Sequence, residues 1–397
     1  MKALEQKYQE WTSDFHHGEL LFFAGFILIL FRGIWLSTMF PQNRILSLLC
    51  IPVAALLVGL KILLFDRYPL KQFFALLVVL VCTMLSCYFS RTVNAFLMIL
   101  LVLGSRDIEF EKILKVYLVI VGSVLVLAFL ASLVGVIENL QYEQSGRRLR
   151  NAFGIIYPTD FAAHVFFFLT VLFYVKRDTL RPIHYILTIG LAGLLYYYCD
   201  TRLDSISILL LVVIFWIGNV MEHSSWVSRN VKCVWRDFWQ KIGVYSVPIA
   251  AVISIGATYS YKESSTFWKG LNKLLSSRLS LGQNAYKEYG IRMFGQDIEM
   301  VGVGGTVDTV QNYNFVDCSY VHVLLVNGIL FFMILMIMYI LCCRARKHDI
   351  YFLCCIGVIA INCMIAHHIL QVEYNVWLLA VLEMDWCGGY IRSSFRV

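Results

Sequence analysis

A chain of 397 residues that is 59% hydrophobic and only 15% charged, with a mean hydropathy of +0.72, is no soluble globule, whose charged fraction is about 25%. The composition defines an all-α polytopic membrane protein. Its net charge of +7 records basic connections beside a membrane and gives no ground for a nucleic-acid partner. The twelve cysteines lie mostly inside apolar runs and show no CxxC spacing, so they read as small packing residues; no disulfide framework, metal site or cofactor is implied.

The first eighteen residues (MKALEQKYQEWTSDFHHG) are polar and lack the pattern of a cleavable signal, so the first span is expected to serve as both targeting signal and permanent helix. A span needs about 20 mostly apolar residues. Along the chain this predicts spans at 19–40, 45–65, 72–90, 92–105, 113–138, 152–175, 182–200, 203–221, 243–261, 319–342, 350–370 and 374–390, about twelve in all. The organisation is then a segment 1–18, a bundle of about nine helices over 19–261, a long polar loop at 262–318, and further helices with a tail at 319–397.

Lys and Arg in short connections set orientation. With the N-terminus inside, twenty of the thirty-three basic residues fall on the cytoplasmic side, including Lys61, Arg67, Arg106, Lys112, Arg177, Arg229, Arg344 and Arg392. Both termini are then inside and 262–318 is outside. Two outer connections break the rule. The segment 139–151 (NLQYEQSGRRLRN) carries Arg147, Arg148 and Arg150, and the 200–202 corner carries Arg202. In the long loop, Leu275, Leu279, Tyr286, Tyr289 and Met293 are close to helical spacing with Gly290 as the stop, which predicts a helix over 271–293 on the membrane surface. The GVGG at 302–305 neither follows a strand nor opens a helix, and it reads as a turn.

Guanidinium groups grip phosphate oxygens in a two-pronged fork. Arg150, Arg202 and Arg278, from three separate stretches at one depth, suit a pyrophosphate; Arg44 and Arg91 are solitary and read as lipid-interface residues. Asp200 and Asp204 flank Arg202 and read as its neutralising partners. Asp317, before Cys318-Ser319, reads either as a helix cap or as a general base, and the two roles are compatible. Among the histidines His322 is retained, about one helical turn beyond Asp317; no pair has ligand spacing with a carboxylate.

Four short motifs in this order resemble the Wzy-type polysaccharide polymerases and the related O-antigen ligases. They are Arg150-Asn-Ala-Phe-Gly154 followed by Tyr157-Pro158-Thr159, Thr201-Arg202 with Ser205, Ser277-Arg278-Leu279 followed by Phe294-Gly295, and Asp317-Cys318-Ser319-Tyr320 with Leu324 and Gly328. The resemblance implies a GT-C-like fold with one long extracytoplasmic loop in a bacterial cytoplasmic membrane. It implies polymerisation of undecaprenyl-pyrophosphate-linked oligosaccharide repeat units into capsular or exopolysaccharide, of the Gram-positive type, at the outer face. Asp317, Arg278 and His322 would then be catalytic, and Arg147, Arg150, Arg202, Tyr157 and Tyr320 would bind substrate. The partners implied are the lipid-linked oligosaccharide, membrane lipid, and a chain-length regulator and flippase of the same pathway. Ligase relatives carry a histidine where this chain has Asp317, which favours polymerase over a ligase acting on another acceptor. A flippase or transporter, the other alternative, would show repeated halves and matching broken helices, and neither is visible.

Overall fold

The computed structural model describes residues 15–143, 148–307 and 313–383. The chain is mostly helical, an all-α bundle of membrane type. In order it forms α1 (Phe15–Leu36), α2 (Arg44–Leu64), α3 (Leu70–Ser90), the short α4 (Asn94–Gly104) and α5 (Phe110–Leu133). A two-stranded antiparallel ribbon follows, β1 (Gln141–Tyr142) with β2 (Arg150–Asn151), Tyr142 opposite Arg150. Then come α6 (Pro158–Val175), α7 (Pro182–Cys199), α8 (Arg202–His223), α9 (Arg229–Lys241) and α10 (Ser246–Ser260). The polar loop contains α11 (Thr266–Leu274) and α12 (Arg278–Tyr289), and the chain returns through α13 (Ser319–Val326), α14 (Gly328–Ala345) and α15 (Ile350–Asn362).

Local chemistry places these boundaries. Asn43 and Asp349 cap α2 and α15, accepting from the amides of Leu46 and Phe352 at 3.0 Å each. Pro158 and Pro182 open α6 and α7, where a missing N–H costs nothing. By length and composition, eight described runs can cross a membrane: α1 from His17, α2, α3, α5, α6, α8, the run Arg229–Ser260, and α14. The helices α4 and α15 are apolar but shorter, at 11 and 13 residues.

Three predicted spans take a different form; one of them, 350–370, is α-helical only to Asn362 and ends in a 3-10 turn at His368–Leu370. The run 319–342 is not one helix but breaks at Asn327–Gly328, because the chain leaving α12 is inserted there. Gln296 donates its backbone amide to Val326 O and its side-chain amide to Leu325 O, while Ile329 N and Leu330 N turn to Arg292 O and Met293 O. Gly295 and Gly328 cross in contact, both at positive φ (+93° and +85°); a Cβ on Gly328 would lie 2.2 Å from Gly295 N. The predicted span 374–390 is not an α-helix in its described part, where Trp377–Leu382 forms a 3-10 turn.

Even so, the stretch 365–383 runs the length of the bundle. Ile365 O accepts from Arg278 at one end, and Glu383 pairs with Arg346 at the other. Irregular backbone at this depth needs partners within the protein. Tyr117 Oη donates to Tyr374 O (3.0 Å), Ser105 Oγ to Leu379 O (2.8 Å), and Asn375 Nδ2 to Tyr339 Oη (2.9 Å). Around it the rings of His164, Tyr374 and His368 stack at 3.8 Å spacings, tilted by 12° and 15°.

The basic connections collect at one end of the bundle. There Lys61 Nζ binds Asp66 Oδ1 (2.5 Å) and Arg106 O (2.6 Å), and Arg177 faces Glu111. The opposite end joins α1, the ribbon and the polar loop: Met39 N donates to Gly154 O and Gly305 N to Ile156 O, at 2.8 Å each. Replacing Gly328 by Ala is expected to cost about 3 kcal/mol or more through the strained φ and the backbone clash. Gly270→Ala, in open space on α11, is the control; thermal unfolding in detergent should separate the two, with Gly270→Ala at or slightly above wild type.

Candidate functional site

The end of the bundle that carries the ribbon and the polar loop holds a cavity of about 570 Å³, lined by Arg150, Tyr157, Arg202, Arg278 and Asp317 together with Tyr142, Glu143, Asp200, Asp204, Ser276, Ser277 and Tyr313. Four stretches far apart in the chain meet there: 142–159, 200–204, 276–281 and 303–317.

Arg150 reaches its place because its strand pairs with Tyr142. It is buried, donates from Nε to Cys199 O (3.1 Å) and from one terminal nitrogen to Tyr157 Oη (3.1 Å), and lies 5.1 Å from the Tyr157 ring centre. Tyr142 packs edge-on against Tyr157 and donates to Ile156 O and Val303 O; burial pushes its hydroxyl up to about 12. Arg150 therefore ties the ribbon to the corner between α7 and α8. That corner is turned by Asp200 at φ +48°.

Arg202, the first residue of α8, is exposed, with Asp200 Oδ1 3.6 Å from its Nε. Of the two acids flanking it, Asp200 is its partner. Asp204 instead accepts from Asn362 Nδ2 of α15 at 3.2 Å, so the reading that both neutralise Arg202 is corrected: Asp204, two residues on in the first turn of α8, lies on the buried side of that helix. Arg278 anchors Nε on Ile365 O (2.6 Å) and a terminal nitrogen on Leu275 O (3.2 Å), with Asp317 Oδ2 3.8 Å from Nε. The single helix expected over 271–293 is interrupted: α11 ends at Leu274, a corner follows at 275–277, and α12 runs from Arg278 to Tyr289 with Gly290 as the predicted stop; Met293 lies beyond it.

Asp317 does not cap α13. Cys318 holds the cap position without a side-chain hydrogen bond, and Asp317 turns to Arg278. Burial pushes its carboxyl above the ordinary carboxylate range, and the Arg278 guanidinium pulls it part of the way back. Tyr313, also on the lining, is raised by burial first and by the Asp317 charge second.

Two expected site residues stand elsewhere. Tyr320 is fully buried and donates to Ala360 O at 2.9 Å, so the core holds its hydroxyl away from the cavity. His322 is oriented by Val316 O, 3.2 Å from Nδ1, with His367 as its ring neighbour at 6.1 Å, and it does not line the cavity. Arg147 lies outside the described residues. Arg148 sits over the rings of Tyr196 and Tyr197 rather than in the cavity. The lining residues Tyr142, Glu143, Ser276, Ser277 and Tyr313 escape sequence reasoning. Tyr142 and Glu143 stand in the same short segment as the three anomalous arginines, which was the available signal.

Three guanidinium groups and four carboxylates share this lining, so the cavity is no uniform anion trap. It offers forked donors for an anionic oxygen cluster and acceptors for hydroxyl groups side by side. Among the described residues no group of three or more His, Cys, Asp or Glu side chains is placed to hold a metal ion. No protein-family model, curated protein or solved structure matches this chain. Inorganic pyrophosphate titrated calorimetrically into the full chain in nanodiscs is expected to bind, and Arg278→Lys or Arg202→Lys to weaken it about tenfold or more by replacing a fork with a point charge.

Proposed function

We propose that this protein is a polysaccharide polymerase of the bacterial cytoplasmic membrane, joining oligosaccharide repeat units carried on undecaprenyl pyrophosphate at the outer face. The observation that carries the reading is the meeting of Arg150, Arg202, Arg278 and Asp317 around one cavity at the end of the bundle opposite the basic connections. By the positive-inside rule that end faces outward, and there lipid-linked glycan, not nucleotide sugar, is the accessible donor.

In this reading the donor's pyrophosphate lies among the arginines and its sugar hydroxyls meet the carboxylates and tyrosines. A hydroxyl of the next repeat unit attacks the anomeric carbon, and the bond from that carbon to the pyrophosphate oxygen breaks. The glycosidic bond forms as the lipid pyrophosphate leaves. Its developing charge is met by guanidinium groups already held in place by Cys199 O, Tyr157 and Ile365 O, which is fixed electrostatic stabilisation. Asp317 takes the acceptor proton, its basicity strengthened by burial and restrained by Arg278. Capsular or exopolysaccharide is the product class, and a chain-length regulator and a flippase are the expected pathway partners.

The test is a surface-polysaccharide gel from cells expressing wild type, a deletion or Arg278→Lys. The lysine variant should reduce polymer to single repeat units while membrane levels of the protein hold. Unchanged polymer in both the deletion and the variant would exclude a polymerase and return attention to transfer onto another acceptor or to transport. The Asp317 role has its own signature. A base works ionised, so the rate should fall as pH drops through a value above the ordinary 3.8 of an aspartate. Asp317→Asn should remove that acid limb along with about 10²-fold or more of the rate.

A further inference from the structure

The corner between α11 and α12 is built with unusual backbone. Ser276 and Ser277 are consecutive non-glycine residues in the left-handed region, at φ +53° and +67°. Side chains rarely occupy that region, and each such residue needs surrounding structure to hold it. Here the hold comes from a helix-terminating motif: Ser277 N donates to Asn272 O (2.8 Å) and Ser276 N to Lys273 O (3.2 Å), the paired bonds that usually end a helix on glycine. Arg278 begins the next helix directly after this corner.

Ser277, at the cap position of α12, makes no side-chain cap bond. That work is done from the preceding helix. Asn272 Oδ1 accepts from both Leu279 N and Ser280 N at 3.1 Å, and its Nδ2 donates to Ser280 Oγ at 3.0 Å. One side chain thus closes the end of α11 onto the start of α12 and satisfies the two amides that directly follow Arg278. The guanidinium is then fastened at Ile365 O, 87 residues away in sequence.

We propose that Asn272 is a positioning residue for Arg278: by capping α12 across the Ser276–Ser277 corner it fixes where that guanidinium meets the anionic part of the substrate. This rests on the reading that the cavity binds a lipid-linked pyrophosphate. Asn272 touches no substrate; it acts through the arginine.

The experiment uses the full chain in nanodiscs and compares Asn272→Ala, Asn272→Asp, Arg278→Lys and the Asn272→Ala/Arg278→Lys double variant. Asn272→Asp keeps the acceptor oxygen at a helix start, where a negative charge is favourable. Amide exchange read over 277–283 should quicken in Asn272→Ala and return toward wild type in Asn272→Asp; unchanged exchange in the alanine variant overturns the proposal whatever the protein catalyses. Pyrophosphate affinity should fall about fivefold to tenfold in Asn272→Ala, recover in Asn272→Asp, and in the double variant equal that of Arg278→Lys alone. Losses that multiply in the double variant would show a general structural role and overturn it. Glycan transfer by the wild type is measured in parallel. Its absence alongside the binding pattern above defeats the polymerase reading and leaves the positioning role standing, whereas transfer with a harmless Asn272→Ala defeats only the positioning role.

Discussion

A backbone amide or carbonyl surrounded by hydrocarbon costs several kcal/mol unless something in the protein bonds to it, and this constraint shapes every irregular feature of the molecule. Most of the chain meets it with helices. Where it does not, polar side chains are stationed beside the exposed backbone. Tyr117, Ser105 and Asn375 serve the non-helical stretch that runs from Ile365 to Glu383, and Gln296 serves the carbonyls freed where α13 gives way to α14. Asn327 and Ser86 lock that break to α3, since Ser86 Oγ donates to Asn327 O at 2.9 Å. These partners make a broken helix and a 3-10 turn admissible inside a membrane bundle.

The site depends on the same economy. Arg150 and Arg278 each commit donors to protein carbonyls, Cys199 O and Ile365 O, before any ligand arrives. Those bonds hold long, flexible side chains in a fixed place and tie the ribbon and the polar loop to the ends of α7 and α15. Arg202 is different: its side chain is exposed and faces Asp200 Oδ1 at 3.6 Å. The cavity therefore combines two guanidinium groups anchored on carbonyls with one exposed beside a carboxylate. Carboxylates among them keep the lining from becoming a general trap for anions and supply acceptors for hydroxyl groups.

Much of the architecture was legible because a membrane simplifies the code. Runs of about 20 apolar residues and the sidedness of Lys and Arg depend only on local sequence and the solvent around it, so α1, α2, α3, α5, α6 and α8 stand near their expected bounds. The stop at Gly290 was equally local. Arg150 and Arg202, which line the cavity, stood out for an equally local reason: they violated a rule about short connections. The role assigned to Tyr320 came from a motif resemblance, and those of His322 and Asp204 from nearness in sequence to Asp317 and Arg202; neither kind of reading says what the side chain packs against. Ala360 O claims Tyr320, Val316 O orients His322, and Asn362 meets Asp204.

By itself, then, the sequence determined that this is an all-α membrane protein with its basic connections on one side and its surplus arginines on the other, since hydropathy and charge act on the chain segment by segment. Only the tertiary structure decided that the run 319–342 breaks at Gly328, that 365–383 runs the length of the bundle without an α-helix, and that Asn272 caps the helix bearing Arg278. Each of those outcomes hangs on a hydrogen bond or a close backbone contact with a distant or neighbouring element, and no window of sequence contains both partners together with the space between them.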